Sequence, residues 1–236
     1  MRIHLISSPR NVSTALMYSF AQRPDVRVVD EPFYAYYLDR SGAEHPGRAE
    51  VLASQPRTVD GVFRTLDGQD DRPHLFLKGM AHHCEGIALD RLATMTSVLF
   101  IRDPRKIIAS FAEVIPNPTL RDIGIRIHVE LLEQLKGVSA SCVVLDSDDL
   151  LADPEAMLTS LCDRLGIGFD ERMLKWTAGP RLEDGVWAPH WYANVHRSTG
   201  FTKQATSDRP VPENLRPLLA EALPFYETLR AERITA

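Results

Sequence analysis

The order of apolar segments predicts an α/β fold of three layers, a central parallel sheet flanked by helices. Short apolar runs of strand length alternate with stretches at helical spacing, the pattern of βαβ units. Residues 96–101 are the clearest case of a buried strand, as expected where helices cover both faces of a sheet. Polar and titratable residues gather just past the strands, at the sheet edge where α/β folds place ligands. A chain of 236 residues with 44% apolar content can bury one full core and fits a single domain over 1–236 better than two.

Taken in order, residues 3–6 form a first strand, Ser7-Ser8-Pro9-Arg10-Asn11 a tight polar turn, and Val12-Ser13-Thr14 the start of a helix that Pro24 should end. Residues 26–29 alternate as a second strand and stop at Asp30-Glu31. The polar stretch 39–73, with Gly42, Gly47, Gly61 and Gly68 and a short helical pattern over 48–53, reads as a surface excursion or lid. A third strand over 74–78 leads to Gly79-Met80-Ala81-His82-His83. After 96–101, Pro104 opens a helical run over 105–114, in the first turn where its missing N–H costs nothing. A long helical pattern covers 120–137, a further strand 142–145 ends at Asp146, and Asp153-Pro154 starts a helix closed by Gly166. Trp176, Trp187, Trp191 and Tyr192 sit among turn residues, so 176–203 is expected to form an aromatic-rich cap loop. A terminal helical region follows over 213–230, interrupted by Pro217 and Pro224.

A net charge of -5 excludes the broad positive field of a nucleic-acid binder. No apolar run approaches the roughly 20 residues that span a bilayer, and the N-terminus lacks a signal-peptide core. A soluble cytoplasmic protein without membrane association is the expectation. Cys84, Cys142 and Cys162 lack CxxC spacing and indicate neither a disulfide framework nor a zinc site. Any anion site must therefore be local. Residues 3–20 supply one, where helix-start N–H groups, Arg10 and the Ser13 and Thr14 hydroxyls converge on a phosphate-sized group. A nucleotide kinase would need GxxxxGK[ST]. Aligned on Thr14, Ser7 and Val12 occupy the glycine positions and Ser13 the lysine position.

SSPRNVSTAL instead resembles the 5′-phosphosulfate loop of sulfotransferases, and FIRDPRKIIAS resembles their 3′-phosphate motif, here Arg102 and Ser110. VLDSDDLLADPEAML is similar to the family's strand-acidic-Leu segment, and VHRSTGF resembles its late Ser-x-Gly element. Val12 stands where many members have Gly, and Asn11 replaces the usual Ser. The resemblance implies a P-loop-like fold and 3′-phosphoadenosine 5′-phosphosulfate as donor. It also implies a small-molecule acceptor with a hydroxyl or amine, and no metal. It implies donor binding by Arg10, Asn11, Val12, Ser13, Thr14, Arg102, Ser110, Ser198, Thr199 and Gly200.

Sulfuryl transfer requires charge to be offset on the leaving oxygen and a proton to be removed from the acceptor. Arg10 suits the first task. For the second, Glu31 is similar in position to the catalytic Glu of the carbohydrate-sulfating branch, and His82 is the runner-up because the small-molecule branch uses a His nearby. Lys78 matches the Lys that follows the third strand in many members, placed to steady the bridging oxygen or the acceptor. Two other functions share the fold: a P-loop phosphotransferase using ATP and Mg²⁺, with Asp146 as the metal holder, and a non-catalytic nucleotide-binding domain.

Overall fold

A computed structural model describes residues 1–68, 71–113, 117–202 and 209–236. Five strands, β1 (Arg2–Ser7), β2 (Val26–Asp30), β3 (His74–Met80), β4 (Thr96–Ile101) and β5 (Cys142–Asp146), pair in parallel in the order β2-β3-β1-β4-β5. All five C-terminal ends therefore share one edge. The register sets Asp30 opposite Lys78, and Ser7 opposite both Met80 and Phe100.

The helices are α1 (Ser13–Phe20), α2 (Tyr34–Ser41), α3 (Arg48–Ser54), α4 (Val59–Leu66), α5 (Leu89–Leu92), α6 (Pro104–Phe111), α7 (Leu120–Ile123), α8 (Ile125–Gly137), α9 (Ser147–Ala152), α10 (Pro154–Leu165), α11 (Ala188–Trp191) and α12 (Arg216–Ala231). One face of the sheet buries Leu16 and Phe20 of α1 and Leu158 and Leu161 of α10 against Phe76 and Phe100. Phe20 stacks on Phe76 at 4.1 Å between centroids. The other face buries Val62, Ile107, Leu132 and Leu229, from α4, α6, α8 and α12, against Leu77 and Leu99. The alternating pattern thus becomes the expected helix–sheet–helix sandwich, held by apolar burial on both sides.

Four local expectations change. The helical pattern over 120–137 is broken at Gly124, whose φ of 73° ends α7 in the left-handed conformation that only glycine adopts without penalty. Residues 39–73 are more ordered than a surface excursion. Thr58 caps α4 by accepting from Gly61 N at 3.1 Å, and Val62, Phe63 and Leu66 enter the main core. The helical spacing there was masked by the glycines and charges around it. Pro224 does not interrupt the last helix; α12 runs through it, anchored by Ala222, Tyr226 and Leu229. Packing of that face offsets the missing N–H. The aromatic group also divides: Trp176 joins the core beside Phe201, whereas Trp187, Ala188 and Tyr192 form a small third core with Tyr34, Leu38 and Val51. Segments 39–73 and 176–203 therefore pack on each other. Gln69, Asp70, Val114 and Lys203, which fall within the expected excursion, helical run and cap loop, lie outside the described residues. No helix among the described residues is long and apolar enough to cross a membrane.

Candidate active site

Where β1 gives way to α1, the backbone turns sharply at Arg10, at a φ of 55°. Asn11 holds this turn to the sheet. Its Nδ2 donates to Phe100 O at 3.0 Å while its Oδ1 accepts from Val12 N at 2.9 Å. Beneath the loop, His128 of α8 donates from Nε2 to Ile6 O at 2.9 Å and faces Ser8 Oγ with Nδ1 at 3.5 Å. Burial lowers this histidine to a pKa of about 4, so it is a neutral strut. Val12 supplies no side-chain cap to α1, which leaves the helix-start N–H groups without an acceptor from that residue.

Two motif residues meet Arg10 from the neighbouring strand and helix. Arg102 donates to Arg10 O, and Ser110 Oγ accepts from Arg10 Nε at 3.1 Å. Asp103 does not pair with Arg102; it caps α6 and binds Arg105 at 3.0 Å. Arg102 Nε is buried and has no hydrogen-bond partner among the described residues. Burial, with Arg10 close by, depresses the Arg102 guanidinium below its ordinary value despite nearby Asp148. Asp103 and Asp146 join Asp148 in partly offsetting this.

At the ends of β2 and β3 the arrangement is different. Glu31, also at positive φ (39°), is ion-paired to Lys78, and Lys78 Nζ lies 3.2 Å from Asp30 Oδ1 and donates to Tyr192 Oη at 2.8 Å. The ammonium is enclosed by three oxygens of its own protein. Burial works against its charge, but Asp30 and Glu31 outweigh this and raise its pKa. Burial pushes the Glu31 carboxyl above the usual carboxylate range; Lys78 opposes the shift and Asp30 adds to it. His82 and His83 lie alongside, both buried. Burial drives His82 down to about 3 and His83 well below its usual value, so both rings are neutral. His83 Nδ1 stands 3.9 Å from Glu31 Oε2, and its ring stacks on Tyr34 at 4.9 Å.

Two cavities flank the loop. One, of about 140 Å³, is walled by Ser13, Glu31, Tyr34, Lys78, His82 and His83. The other, of about 120 Å³, is walled by Val12, Ala15, Asn194, Ser198, Gly200 and Phe201. Arg10, Asn11, Thr14 and Trp191 belong to both and form the partition. Arg102, Ser110 and Thr199 line neither cavity. Ser198 Oγ is already engaged, accepting from Trp176 Nε1 at 3.1 Å and donating to Val195 O at 2.7 Å. Thr199 O accepts from Trp176 N at 3.1 Å, and Gly200 bridges Lys175. Asp146 accepts from Asp148 N at 2.8 Å and from Tyr226 Oη at 2.7 Å, which makes it a helix-start residue. Among the described residues no group of three or more His, Cys, Asp or Glu is arranged to hold a metal ion. Trp187 and Tyr192 were foreseen only as members of a cap loop, without their partners; Tyr34 carried no signal, and for His128 the nearest one was a His on the apolar face of a long helix.

A family model described as a sulfotransferase domain matches residues 1–233. Branched-chain-amino-acid aminotransferase-like protein 1 of Arabidopsis thaliana is 39% identical over 231 residues, 97% of this chain and 41% of that protein. The chain thus spans about two-fifths of that relative's length. The sulfotransferase domain of the Synechococcus PCC 7002 olefin synthase superposes with a TM-score of 0.63 at 18% identity, covering 98% of this chain and 94% of the other. A sulfotransferase from Alicyclobacillus acidocaldarius gives a TM-score of 0.60 at 13% identity, covering 97% and 94%. At those identities the two structures speak for the fold alone, which is the three-layer, P-loop-like arrangement with its five-stranded parallel sheet.

Proposed function

Because the chain belongs to the sulfotransferase domain family, we propose that it moves a sulfuryl group from 3′-phosphoadenosine 5′-phosphosulfate to a hydroxyl or amine of a small acceptor. The observation that carries this reading is the partition. A loop with an arginine and a helix start separates two cavities, and a buried carboxylate of raised proton affinity stands on the wall of one of them. The residues present fit a doubly anionic donor. Arg102 has an unpartnered buried Nε, Arg10 sits between the cavities, and α1 opens without a side-chain cap.

In this reading the α1 start, Arg10, Ser13 and Thr14 hold the phosphosulfate end, while Arg102 and Ser110, which line neither cavity, hold the 3′-phosphate by exchanging their contacts with Arg10 for it. The bound donor supplies an activated sulfuryl group as a mixed anhydride. Arg10, in the shared wall, offsets negative charge where the two cavities meet. Glu31 takes the acceptor's proton, and its raised affinity makes it a stronger base than an ordinary carboxylate. Lys78 orients Glu31, because its ammonium is already committed to Glu31, Asp30 and Tyr192. His82, held neutral to about pH 3, is a poor proton acceptor by comparison. Tyr34, Phe111, Trp191 and Tyr192 exclude water from the acceptor cavity.

Calorimetric titration with adenosine 3′,5′-bisphosphate, without Mg²⁺, tests the donor half. Binding that weakens about ten- to a hundredfold in Arg102→Ala supports it, and a preference for ATP with Mg²⁺ overturns it in favour of a phosphotransferase. Transfer to a panel of phenols, alcohols and amines tests the rest; failure with every acceptor despite bisphosphate binding would leave a nucleotide-binding domain.

A further inference from the structure

Asp30 and Glu31 are neighbours at the end of β2 and both lie beside Lys78, yet only Glu31 reaches the cavity wall. Asp30 turns toward the segment after residue 184. Its Oδ2 accepts from Tyr192 Oη at 2.6 Å and from Gly185 N at 3.3 Å. Gly185 is required for that approach, since a Cβ there would stand 2.2 Å from the Trp187 ring.

The orientation of the Tyr192 hydroxyl follows from its neighbours. It receives N–H bonds from Lys78 Nζ at 2.8 Å and Trp187 Nε1 at 3.1 Å. An ammonium and an indole N–H can only donate, so both occupy acceptor sites of the phenol oxygen. The phenol's single proton goes to Asp30 Oδ2 at 2.6 Å, while Glu31 stands close enough to the same phenol for it to lower the Glu31 proton affinity slightly. We propose that Tyr192 is a positioning residue that keeps Asp30 as the standing counter-charge of Lys78 and so leaves Glu31 as the carboxylate that exchanges a proton with the acceptor. This rests on the reading of Glu31 as the proton acceptor.

Two carboxylates and one ammonium in a closed cluster carry one surplus negative charge, and burial favours uptake of one proton. The proton goes to the carboxylate with fewer donors. Asp30 Oδ2 accepts from the phenol and a backbone N–H, and the ammonium lies 3.2 Å from an Oδ1 that has no hydrogen-bond partner among the described residues; Glu31 accepts from the ammonium, with Tyr192 nearby and His83 at 3.9 Å. The groups around Glu31 are Asp30 from β2, Lys78 from β3, His83 from the turn after β3, Tyr34 from α2 and Tyr192 from beyond α11. Burial keeps His83, Tyr34 and Tyr192 uncharged, so Lys78 and Asp30 are the only charged partners among them.

Carbon-13 NMR of the side-chain carboxyls, followed against pH in the ligand-free protein, tests this without any donor or acceptor. In the unsubstituted protein the Glu31 carboxyl should titrate first while the Asp30 carboxyl stays still. In Tyr192→Phe the pair should take its first proton about one pH unit higher, the worth of a hydrogen bond to a charged group, and both carboxyls should move together. In Asp30→Asn, removal of the like charge should bring the Glu31 titration down. A first titration at Asp30 in the unsubstituted protein, or an unchanged division in Tyr192→Phe, overturns the proposal. If Tyr192→Phe does not fold, an unmoved or raised Glu31 titration in Asp30→Asn overturns it equally. Glu31→Gln separates the two levels. Loss of transfer in that variant together with an unmoved Asp30 titration in Tyr192→Phe refutes the inference alone, whereas full transfer in Glu31→Gln removes the reading on which it rests.

Discussion

The ends of β1 and β4 and the ends of β2 and β3 lie side by side on one sheet edge, yet they treat polar groups in opposite ways. Around Arg10 and Arg102, hydrogen-bonding capacity is left unspent: a buried Nε has no partner, and a helix start has no side-chain cap. Around Lys78 the donors of the ammonium are consumed internally, by Glu31 and Tyr192 with Asp30 at 3.2 Å, and the buried atoms left without a partner there, among the described residues, are Asp30 Oδ1, His82 Nδ1 and His83 Nδ1. Unspent donors cost stability until an anion arrives, which is the behaviour of a binding site. A closed cluster with one surplus charge binds nothing new but sets where a proton resides, which is the behaviour of a chemical device.

The sharpest way to break this division is Glu31→Gln. Transfer should fall by about 10²–10⁴ with bisphosphate affinity unchanged, measured by steady-state kinetics and calorimetry. Loss of both together would merge the two regions into one.

Acid provides the next largest effect. His4, His82 and His128 are held by burial to about 4, 3 and 4, and His83 well below its usual value. Below about pH 6.5 the unfolded chain binds protons at these positions that the folded protein refuses, so stability must fall as pH falls through the window from about 6.5 toward those values. Each histidine contributes about 1.4 kcal/mol per pH unit inside it, measurable by urea denaturation at pH 7 and 5.5. Under the proposed function, transfer should drop as pH falls and Glu31 is protonated, while bisphosphate binding by Arg10 and Arg102 changes less.

Arg102→Ala reports on the other region. Loss of a charge-assisted contact should weaken bisphosphate binding by about ten- to a hundredfold, while a carboxyl titration at Glu31 stays in place. The smallest effect is expected from Asn11→Ala. Freeing the loop from Phe100 O should cost about 1 kcal/mol of stability, seen as a lowered urea midpoint.

The two regions were unequally legible in the sequence. The loop and Arg102 sit where an apolar strand meets a helix, so local pattern marked them; Ser110, near the end of α6, was named through the family motif, and Asn11 in place of Ser turned out to be the tether of the turn. Glu31 and Lys78 could be named as strand-end residues, but their pairing depends on β2 lying beside β3, and strand order is not written in local periodicity. Tyr192 contacts Asp30 across 162 residues of chain, from a segment whose glycines, prolines and aromatics announce a loop without saying where it folds. The helix break at Gly124 and the run through Pro224 failed in opposite directions for one reason. Tertiary packing decides whether a glycine or proline in a helical pattern ends the helix.

Arg10 and Glu31 are two of the three non-glycine residues at positive φ among those described, the third being Ser139 just past α8. Each holds a backbone shape that glycine would adopt at lower cost. Glycine at both positions would relieve the backbone, but it would also take the Arg10 guanidinium out of the wall between the cavities and strip buried Lys78 of its Glu31 partner. Two of the three strained positions thus carry the side chains on which the proposed mechanism depends.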